Sequence, residues 1–285
     1  MSDTATQFET TSAGAGAPPK QEESLSDTIK SLIWAVIFAV ALRSFLFTPF
    51  NIPSASMVGN LLVGDYLFVS KYAYGFSRYS LPFGLPLFEG RIFQHQPKRG
   101  DVIVFKWPAD DHLDYIKRLV GLPGDRIQMK DGVLYINDIM VKKERIADFV
   151  LPVTDNSNCN KYIQYQVEVK AGVFECHLPQ YRETMPAALG GATYTVIDQN
   201  PQGELDNTRI YEVPVKHYFA EGDNRDDSSD SRVPQSESGV GYIPEENLVG
   251  RAEVRFFSTD GSSSWWNPIS WFQAARWHRL FTRIL

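Results

Sequence analysis

The longest apolar run lies near the start of the chain, at positions 28–47, which read TIKSLIWAVIFAVALRSFLF. Twenty residues of α-helix extend roughly 30 Å, which matches the hydrocarbon thickness of a bilayer. Residues 1–27 are polar and rich in small side chains, a composition typical of disorder. The pattern therefore predicts a disordered tail over 1–27 and a transmembrane anchor over 28–47.

Two other interpretations of this run stay open. The stretch without any polar or charged residue covers only positions 32–42, a length that a buried core helix also has. A cleaved signal peptide is the other, since Ser54 and Ser56 flank a small residue and offer a small-x-small cleavage site. We favour an uncleaved anchor, because the segment before the run is long and net acidic and because apolar residues separate the run from Ser54.

Basic residues indicate how the anchor is oriented. Lys20 and Lys30 lie on the tail side, whereas residues 44–70 contain neither lysine nor arginine. By the positive-inside rule, the tail then lies in the cytoplasm and the rest of the chain on the outer side.

Beyond position 47 the pattern changes to the short apolar and alternating runs of a β protein. Positions 101–107 form an apolar run bounded by glycine and proline, and positions 248–257 alternate. Residues 126–137 alternate on both sides of Asp131-Gly132, which predicts a hairpin with a type I′ turn. We expect a mainly β fold built from antiparallel sheets.

The β part divides where the pattern weakens. Residues 142–215 are less regular than their surroundings and contain both cysteines. We interpret them as a smaller β subdomain, inserted into a main β domain that covers 48–141 and 216–260.

The end of the chain, over 261–285, combines four of the six tryptophans with Arg276, Arg279 and Arg283 at helical spacing. Tryptophan and arginine on one amphipathic helix favour a position at the membrane interface. The alternative is a helix packed on the protein's own β core.

Composition excludes several classes of function. The net charge of -6 and the lack of a long basic run argue against nucleic-acid binding. The two cysteines, Cys159 and Cys176, are too few for a zinc site, and we expect neither a metal nor an organic cofactor. They are either free, partly buried thiols or a disulfide formed in an oxidising compartment.

Candidate chemistry lies in two short stretches, around Ser56 and around Lys117. A serine hydroxyl near neutral pH needs a base within hydrogen-bond reach. None of the five histidines stands in a recognisable motif with serine and an acidic residue. A buried lysine can serve instead, because burial disfavours the charged amine. If 115–120 is extended, Lys117 shares a face with Tyr115 and Leu119.

Six blocks in one order resemble bacterial type I signal peptidase, a membrane-bound Ser/Lys protease. The likeness covers about residues 29–257, and the family usually has a proline where this chain has Gly59. The blocks are the apolar run, Ile52-Pro-Ser-Ala-Ser-Met57, residues 64–75, residues 99–106, residues 115–125 and residues 222–232.

The resemblance implies a role for each polar residue of these blocks. Ser56 is the acylated nucleophile and Lys117 the base. The Ser56 N–H and the Ser54 hydroxyl form the oxyanion hole, and Ser228 orients the lysine amine. The structural ion pairs come from Arg118, Asp223, Asp230 and Arg232. Asp226 and Asp227 are expected to be solvated.

Apolar residues around the nucleophile are expected to form shallow pockets for alanine-sized side chains one and three residues before the cut. For Leu61, ordinary core packing is an equally good interpretation. The predicted pocket residues are Phe50, Ile52, Met57, Tyr115 and Ile116.

The sequence thus predicts a single-pass protease of the bacterial inner membrane that removes signal peptides from exported preproteins through an acyl-enzyme. Its catalytic domain faces the periplasm and contacts lipid, and it acts as a monomer. One alternative is a catalytically inactive, membrane-tethered module that binds peptides. A Ser/Lys self-cleaving repressor is disfavoured by the apolar run and by the lack of a DNA-binding helix pattern.

Overall fold

The computed structural model describes residues 25–80, 90–157, 159–264 and 266–284. Residues 1–24, and with them most of the predicted tail, lie outside the described residues. Residues from Val40 onward form one compact unit, and those before it form another.

Helix α1, Leu25–Phe45, covers most of the segment predicted as an anchor. Its apolar side chains are exposed, among them Leu32, Trp34 and Phe38. Within the described part of the chain, no helix combines the length and the apolar character that a membrane crossing requires.

The largest sheet has eight antiparallel strands in the order β1-β2-β17-β3-β4-β15-β16, with β18 added beside β17. The runs predicted over 101–107 and 248–257 are its central strands β3 and β17. The bounds are β1 Phe47–Asn51, β2 Asp65–Ser70, β3 Val102–Trp107, β4 Asp110–Gly121, β15 His217–Glu221, β16 Ile243–Pro244, β17 Leu248–Ser258 and β18 Thr282–Arg283.

The hairpin predicted at Asp131-Gly132 is confirmed. Both turn residues have positive φ, 49° and 70°, as a type I′ turn requires. The hairpin belongs to a four-stranded sheet in the order β14-β5-β6-β7. Its strands are β5 Arg126–Lys130, β6 Val133–Ile136, β7 Ile139–Met140 and β14 Tyr211–Glu212.

Residues 142–215 contribute two small antiparallel sheets, in the orders β13-β12-β8 and β10-β11-β9. The strands are β8 Lys142–Arg145, β9 Phe149–Pro152, β10 Gln166–Lys170, β11 Val173–Leu178, β12 Gln180–Thr184 and β13 Thr193–Ile197. One buried cluster combines Val196 of β13 with Met129 of β5 and Phe219 of β15. The division into a main and an inserted part stays a prediction, because strands from both share this core.

Cys159 and Cys176 form a disulfide, with their Cα atoms 5.8 Å apart. The alternative of two free thiols is therefore wrong for this structure. The cystine lies in an apolar cluster with Val58, Leu62 and Ile197, so it packs beneath the turn that follows Ser56.

The C-terminal helix predicted over 261–285 is wrong in extent. Helix α2 covers only Pro268–Ala274, and a single 3-10 turn follows at Trp277–Arg279. The chain leaves the helix because Ala275 pairs with Thr259 and the Arg276 N–H donates to Ser258 O. Arg279 then turns inward, where it forms an ion pair with the fully buried Asp65.

Candidate active site

Ser56 lies in the turn that follows β1, and Lys117 lies in the middle of β4. The sequence separates them by 61 residues, but the fold brings the Lys117 Nζ to 2.6 Å from the Ser56 Oγ. Both side chains are buried, with 3% and 6% of their surfaces exposed. A hydroxyl and an amine are therefore within proton-transfer distance.

Burial lowers the pKa of Lys117 from 10.5 to about 8, because desolvation disfavours the charged amine. Asp230 and Asp223 act in the opposite direction, but their attraction is the smaller effect. At mildly alkaline pH, a large share of the amine is consequently neutral and can accept a proton.

The Ser56 turn is held by the block at 222–225. The Asn224 N–H donates to the Ser56 carbonyl oxygen at 3.0 Å, and the Asn224 side-chain amide donates to Ala55 O at 3.2 Å. On its other side the same block pairs with Ile197, through Ile197 N–H to Asp223 O and Arg225 N–H to Ile197 O. The block therefore joins the turn that carries Ser56 to β13.

Sequence reasoning gave no role to Asn224, although the residue stands inside a block that the resemblance had marked. Its position directly after Asp223 was the available signal. The backbone bond to Ser56 could not be foreseen, because it depends on how two distant turns meet.

The predicted ion pairs form. Arg118 contacts Asp223 through two hydrogen bonds of 2.7 and 2.8 Å, which links the lysine strand to the 222–225 block. Arg232 likewise donates two hydrogen bonds to the Asp230 carboxylate, which also accepts the Gly222 N–H at 2.9 Å. All four side chains are almost completely buried.

The structure does not form the predicted bond between Ser228 and the lysine amine. The Lys117 Nζ contacts the Ser56 Oγ, whereas the Ser228 hydroxyl lies beside the Asp230 carboxylate and helps to lower the pKa of that group.

The Ser54 Oγ lies 3.4 Å from the Ser56 Oγ. The oxyanion-hole role of Ser54 stays a prediction. Asp226, expected to be solvated, accepts the N–H groups of Gln199 and Asn200, so that expectation is wrong. Asp227 is half-buried at the rim of the adjoining cleft.

A cleft of about 500 Å³ opens onto the Ser56–Lys117 pair. Four of the five predicted pocket residues line it, namely Phe50, Ile52, Tyr115 and Ile116. Met57 is fully buried in an apolar core cluster with Leu61, so its assignment to the cleft is wrong. The cleft also contains Val104, which sequence reasoning missed because it reads as an ordinary buried strand residue.

A cluster of three carboxylates, Asp198, Asp206 and Asp226, is close enough for a metal ion. Lys143 already forms an ion pair with Asp198 there. Among the described residues, nothing else at this cluster indicates a metal, and none of the three carboxylates lines the cleft beside the Ser56–Lys117 pair.

A hydroxyl–amine pair beside an apolar cleft is the arrangement expected of a Ser/Lys serine peptidase. The sequence pattern of the family "Signal peptidase, peptidase S26" matches residues 25–257. Signal peptidase I of Rickettsia typhi is 34% identical over 284 residues, which cover 93% of this chain and 96% of the relative. Signal peptidase I of Rickettsia massiliae is 36% identical over 267 residues, covering 89% and 91%.

A crystal structure of a signal peptidase I from Enterococcus faecalis is also similar, with 22% identity and a TM-score of 0.28, covering 55% of this chain and 97% of that one. On the family match and the Rickettsia relatives, the chain belongs to the signal peptidase I family, peptidase S26. It is a serine peptidase that acts on preproteins, which sets aside the inactive binding module. Members of this family are typically membrane-anchored.

Proposed function

We propose that Ser56 and Lys117 are the residues that carry out signal-peptide cleavage in this protein. The observation that supports this most strongly is the 2.6 Å contact between the Lys117 Nζ and the Ser56 Oγ. A neutral amine at that distance accepts the serine proton as the oxygen attacks the scissile carbonyl.

The reaction then has two halves. Attack by the Ser56 Oγ forms a tetrahedral oxyanion, which the Ser56 N–H and the Ser54 hydroxyl stabilise. Each such donor is typically worth about 3 kcal/mol of barrier. Collapse breaks the C–N bond, and the Lys117 ammonium returns its proton to the amine of the leaving mature protein. Lys117 next takes a proton from water, and the water oxygen attacks the Ser56 ester. Collapse breaks the bond to the Ser56 Oγ, which recovers the proton from the Lys117 ammonium, and the signal peptide leaves with a free carboxylate.

We still propose that Ser228 orients the Lys117 amine. Its Oγ is buried close to the Gly222 backbone and lies beside the Asp230 carboxylate, whose pKa it helps to lower. A change of rotamer would let it accept a hydrogen bond from the amine once the Ser56 Oγ has been acylated. Arg118, Asp223, Asp230 and Arg232 act structurally, since their charges are paired with one another.

The test compares the parent protein in detergent with the Ser56→Ala and Lys117→Met variants on a preprotein substrate. We expect both variants to lose cleavage. Lys130→Met is the matched control, because Lys130 is exposed at the end of β5 and its loss leaves the rate unchanged. Cleavage that persists in either active-site variant would refute the assignment.

We also propose that α1 holds the protein in the bacterial inner membrane, with its N-terminal side in the cytoplasm and the β body in the periplasm. Exposed apolar side chains along α1 support this, as does the exposed apolar surface of Trp266, Ile269 and Phe272 near the C-terminus. The uninterrupted apolar stretch at 32–42 is short, so a crossing requires the bilayer to thin around it.

Protease added to intact spheroplasts tests this topology. Digestion of the β body from outside is the expected result. A body that becomes sensitive only after lysis contradicts the proposed orientation.

A further inference from the structure

A second cavity, of about 350 Å³, lies beside the active-site cleft. The two share Pro53, Ala55 and Asp227 as lining residues. Since Pro53 and Ala55 immediately precede Ser56, the nucleophile turn is the wall between the cavities. A peptide that fills the cleft and presents its scissile carbonyl to Ser56 therefore directs its following residues towards the second cavity.

Two residues that line this cavity carry a buried side-chain oxygen without a hydrogen-bond partner among the described residues: the Gln199 Oε1 and the Asn224 Oδ1. Gln199 is 5% exposed and Asn224 is 4% exposed. The Asn224 amide nitrogen donates to Ala55 O. The side-chain Oδ1 of Asn224 is therefore the atom that lacks a hydrogen-bond partner. A buried acceptor without a donor costs about 1–3 kcal/mol, so an occupant that donates hydrogen bonds is favoured.

The charge of the cavity points to the same kind of occupant. Its described lining includes two carboxylates, Asp155 and Asp227, and no lysine, arginine or histidine. Asp155 is exposed at the rim. The lining therefore attracts N–H donors and positive charge, and it disfavours acidic groups.

We propose that this cavity binds the first residues of the mature protein, the segment after the cut, through its N–H groups, and that it favours a basic side chain there. This inference rests on the proposed function, because it takes Ser56 as the point of cleavage. The cavity would also hold the newly formed amino terminus, a group that donates hydrogen bonds, until the product leaves.

Three substrates test the proposal in the full-length protein. Two are quenched fluorescent peptides with the same signal-peptide part, with either lysine or glutamate at the second and third positions after the cut. The third ends at the scissile bond in a fluorescent amide and has no mature residues. For the parent, we expect kcat/KM to be about tenfold higher for the lysine peptide than for the glutamate peptide.

Asp155→Lys should reverse that preference. Glu204→Lys is the control, because Glu204 is an exposed carboxylate outside the cavity lining, and it should keep the parent's ratio. Gln199→Met, which removes the acceptor at similar volume, should lower kcat/KM several-fold for both long peptides and leave the truncated substrate unaffected.

Because Asp155 is exposed, its replacement preserves the fold. The Asp155→Lys variant therefore decides whether the cavity binds the mature segment. If Asp155→Lys cleaves all three substrates with the parent's ratios, the cavity does not bind the mature segment, while the Ser56–Lys117 assignment stands. If the parent cleaves none of the three, the proposed function fails and this inference fails with it.

Discussion

At the scale of single residues, two opposing effects act on the pKa of the Lys117 amine. Desolvation favours the neutral amine, while the nearby carboxylates of Asp230 and Asp223 favour the charged one. Arg232 and Arg118 are bound to those carboxylates, so much of the negative charge near the amine is already balanced. The positive charge of Arg232 also acts in the same direction as burial and lowers the pKa of Lys117.

The first prediction concerns the rate of cleavage as a function of pH. Only the neutral amine can accept the Ser56 proton, and the pKa of Lys117 is lowered to about 8. We expect kcat/KM to rise about tenfold per pH unit below that value and to level off above it. The measurement is a kcat/KM profile from pH 6 to pH 10. A profile without any rise would exclude a lysine base.

The second prediction concerns stability. In the unfolded chain the lysine pKa is near 10.5, and in the fold it is about 8. Between these values the unfolded state binds more protons, so the free energy of unfolding rises with pH, and below pH 8 the folded protein carries the full cost of a buried charge. Lys117→Met removes that cost and should stabilise the protein at pH 7 by on the order of 3 kcal/mol.

Urea unfolding of the parent and of Lys117→Met, at pH 7 and at pH 10.5, checks this. The gain should be largest at pH 7 and should shrink at the higher pH. An equal difference at both pH values would show that packing, and not charge, separates the two proteins.

The third prediction concerns Gly222. A Cβ atom at this position would lie 2.5 Å from the Ser56 carbonyl oxygen and would also collide with the Ser228 side chain. Gly222→Ala should therefore displace the nucleophile turn and reduce kcat at least 100-fold. Gly172→Ala is a suitable control, since an added Cβ there has no neighbour within 4 Å. Full activity in Gly222→Ala would mean that the turn tolerates the displacement.

At the scale of elements, the turn between β1 and β2 determines where Ser56 lies. Gly59, two residues after Met57, has a φ of +108°. A proline, which the resemblance led us to expect at this position, requires a φ near −65°, so the backbone observed at Gly59 excludes it. An added Cβ at Gly59 would also lie 3.2 Å from the Ile197 side chain.

The fourth prediction compares Gly59→Ala with Gly190→Ala. Both glycines have a similar positive φ, +108° and +102°, but an added Cβ meets no neighbour at Gly190. Gly190→Ala should show only the cost of backbone strain, about 1 kcal/mol. Gly59→Ala should cost more and should also lower kcat, because its turn carries Ser56. If the two variants lose the same stability and cleave at the same rate, the contact with the Ile197 side chain has no effect at Gly59.

Local patterns predicted the strands well, because they depend on neighbouring residues. The Asp131-Gly132 hairpin and β17 follow directly from alternation and turn chemistry. Met57 was assigned to the cleft wrongly, because an apolar side chain next to a nucleophile has the same pattern whether it lines a pocket or fills the core. Gln199 was not found, because it lies in a region without periodicity and gains its meaning only from the cavity around it.

At the scale of the whole molecule, Arg279 supports the turn that carries Ser56, although more than 200 residues separate the two in the sequence. The Arg279 Nη2 donates to the Asp65 carboxylate at 2.6 Å and to Asn60 O at 3.0 Å. The Asp65 carboxylate also accepts the Leu62 N–H and the Ser258 hydroxyl. The helical spacing of the arginines suggested a surface helix, because nothing local to the C-terminus reveals that Asp65 is buried and needs a cation.

The fifth prediction is that Arg279→Leu destabilises the protein by about 3 kcal/mol or more, because it removes the closest cation from a buried carboxylate. It should lower kcat as well, since Asn60 belongs to the nucleophile turn. Arg283→Leu is the control, because Arg283 is exposed. Thermal unfolding and preprotein cleavage measure the two effects. A variant as stable as Arg283→Leu would show that Asp65 is satisfied without Arg279.

The contact between Arg279 and Asp65 also has a consequence for chain cleavage after folding. A protein cut before residue 279 keeps Ser56 and Lys117, but the buried carboxylate of Asp65 loses its nearest cation and the Asn60 carbonyl oxygen loses a donor. Limited proteolysis within residues 276–279 would therefore loosen the turn that carries Ser56 without removing either member of the Ser56–Lys117 pair.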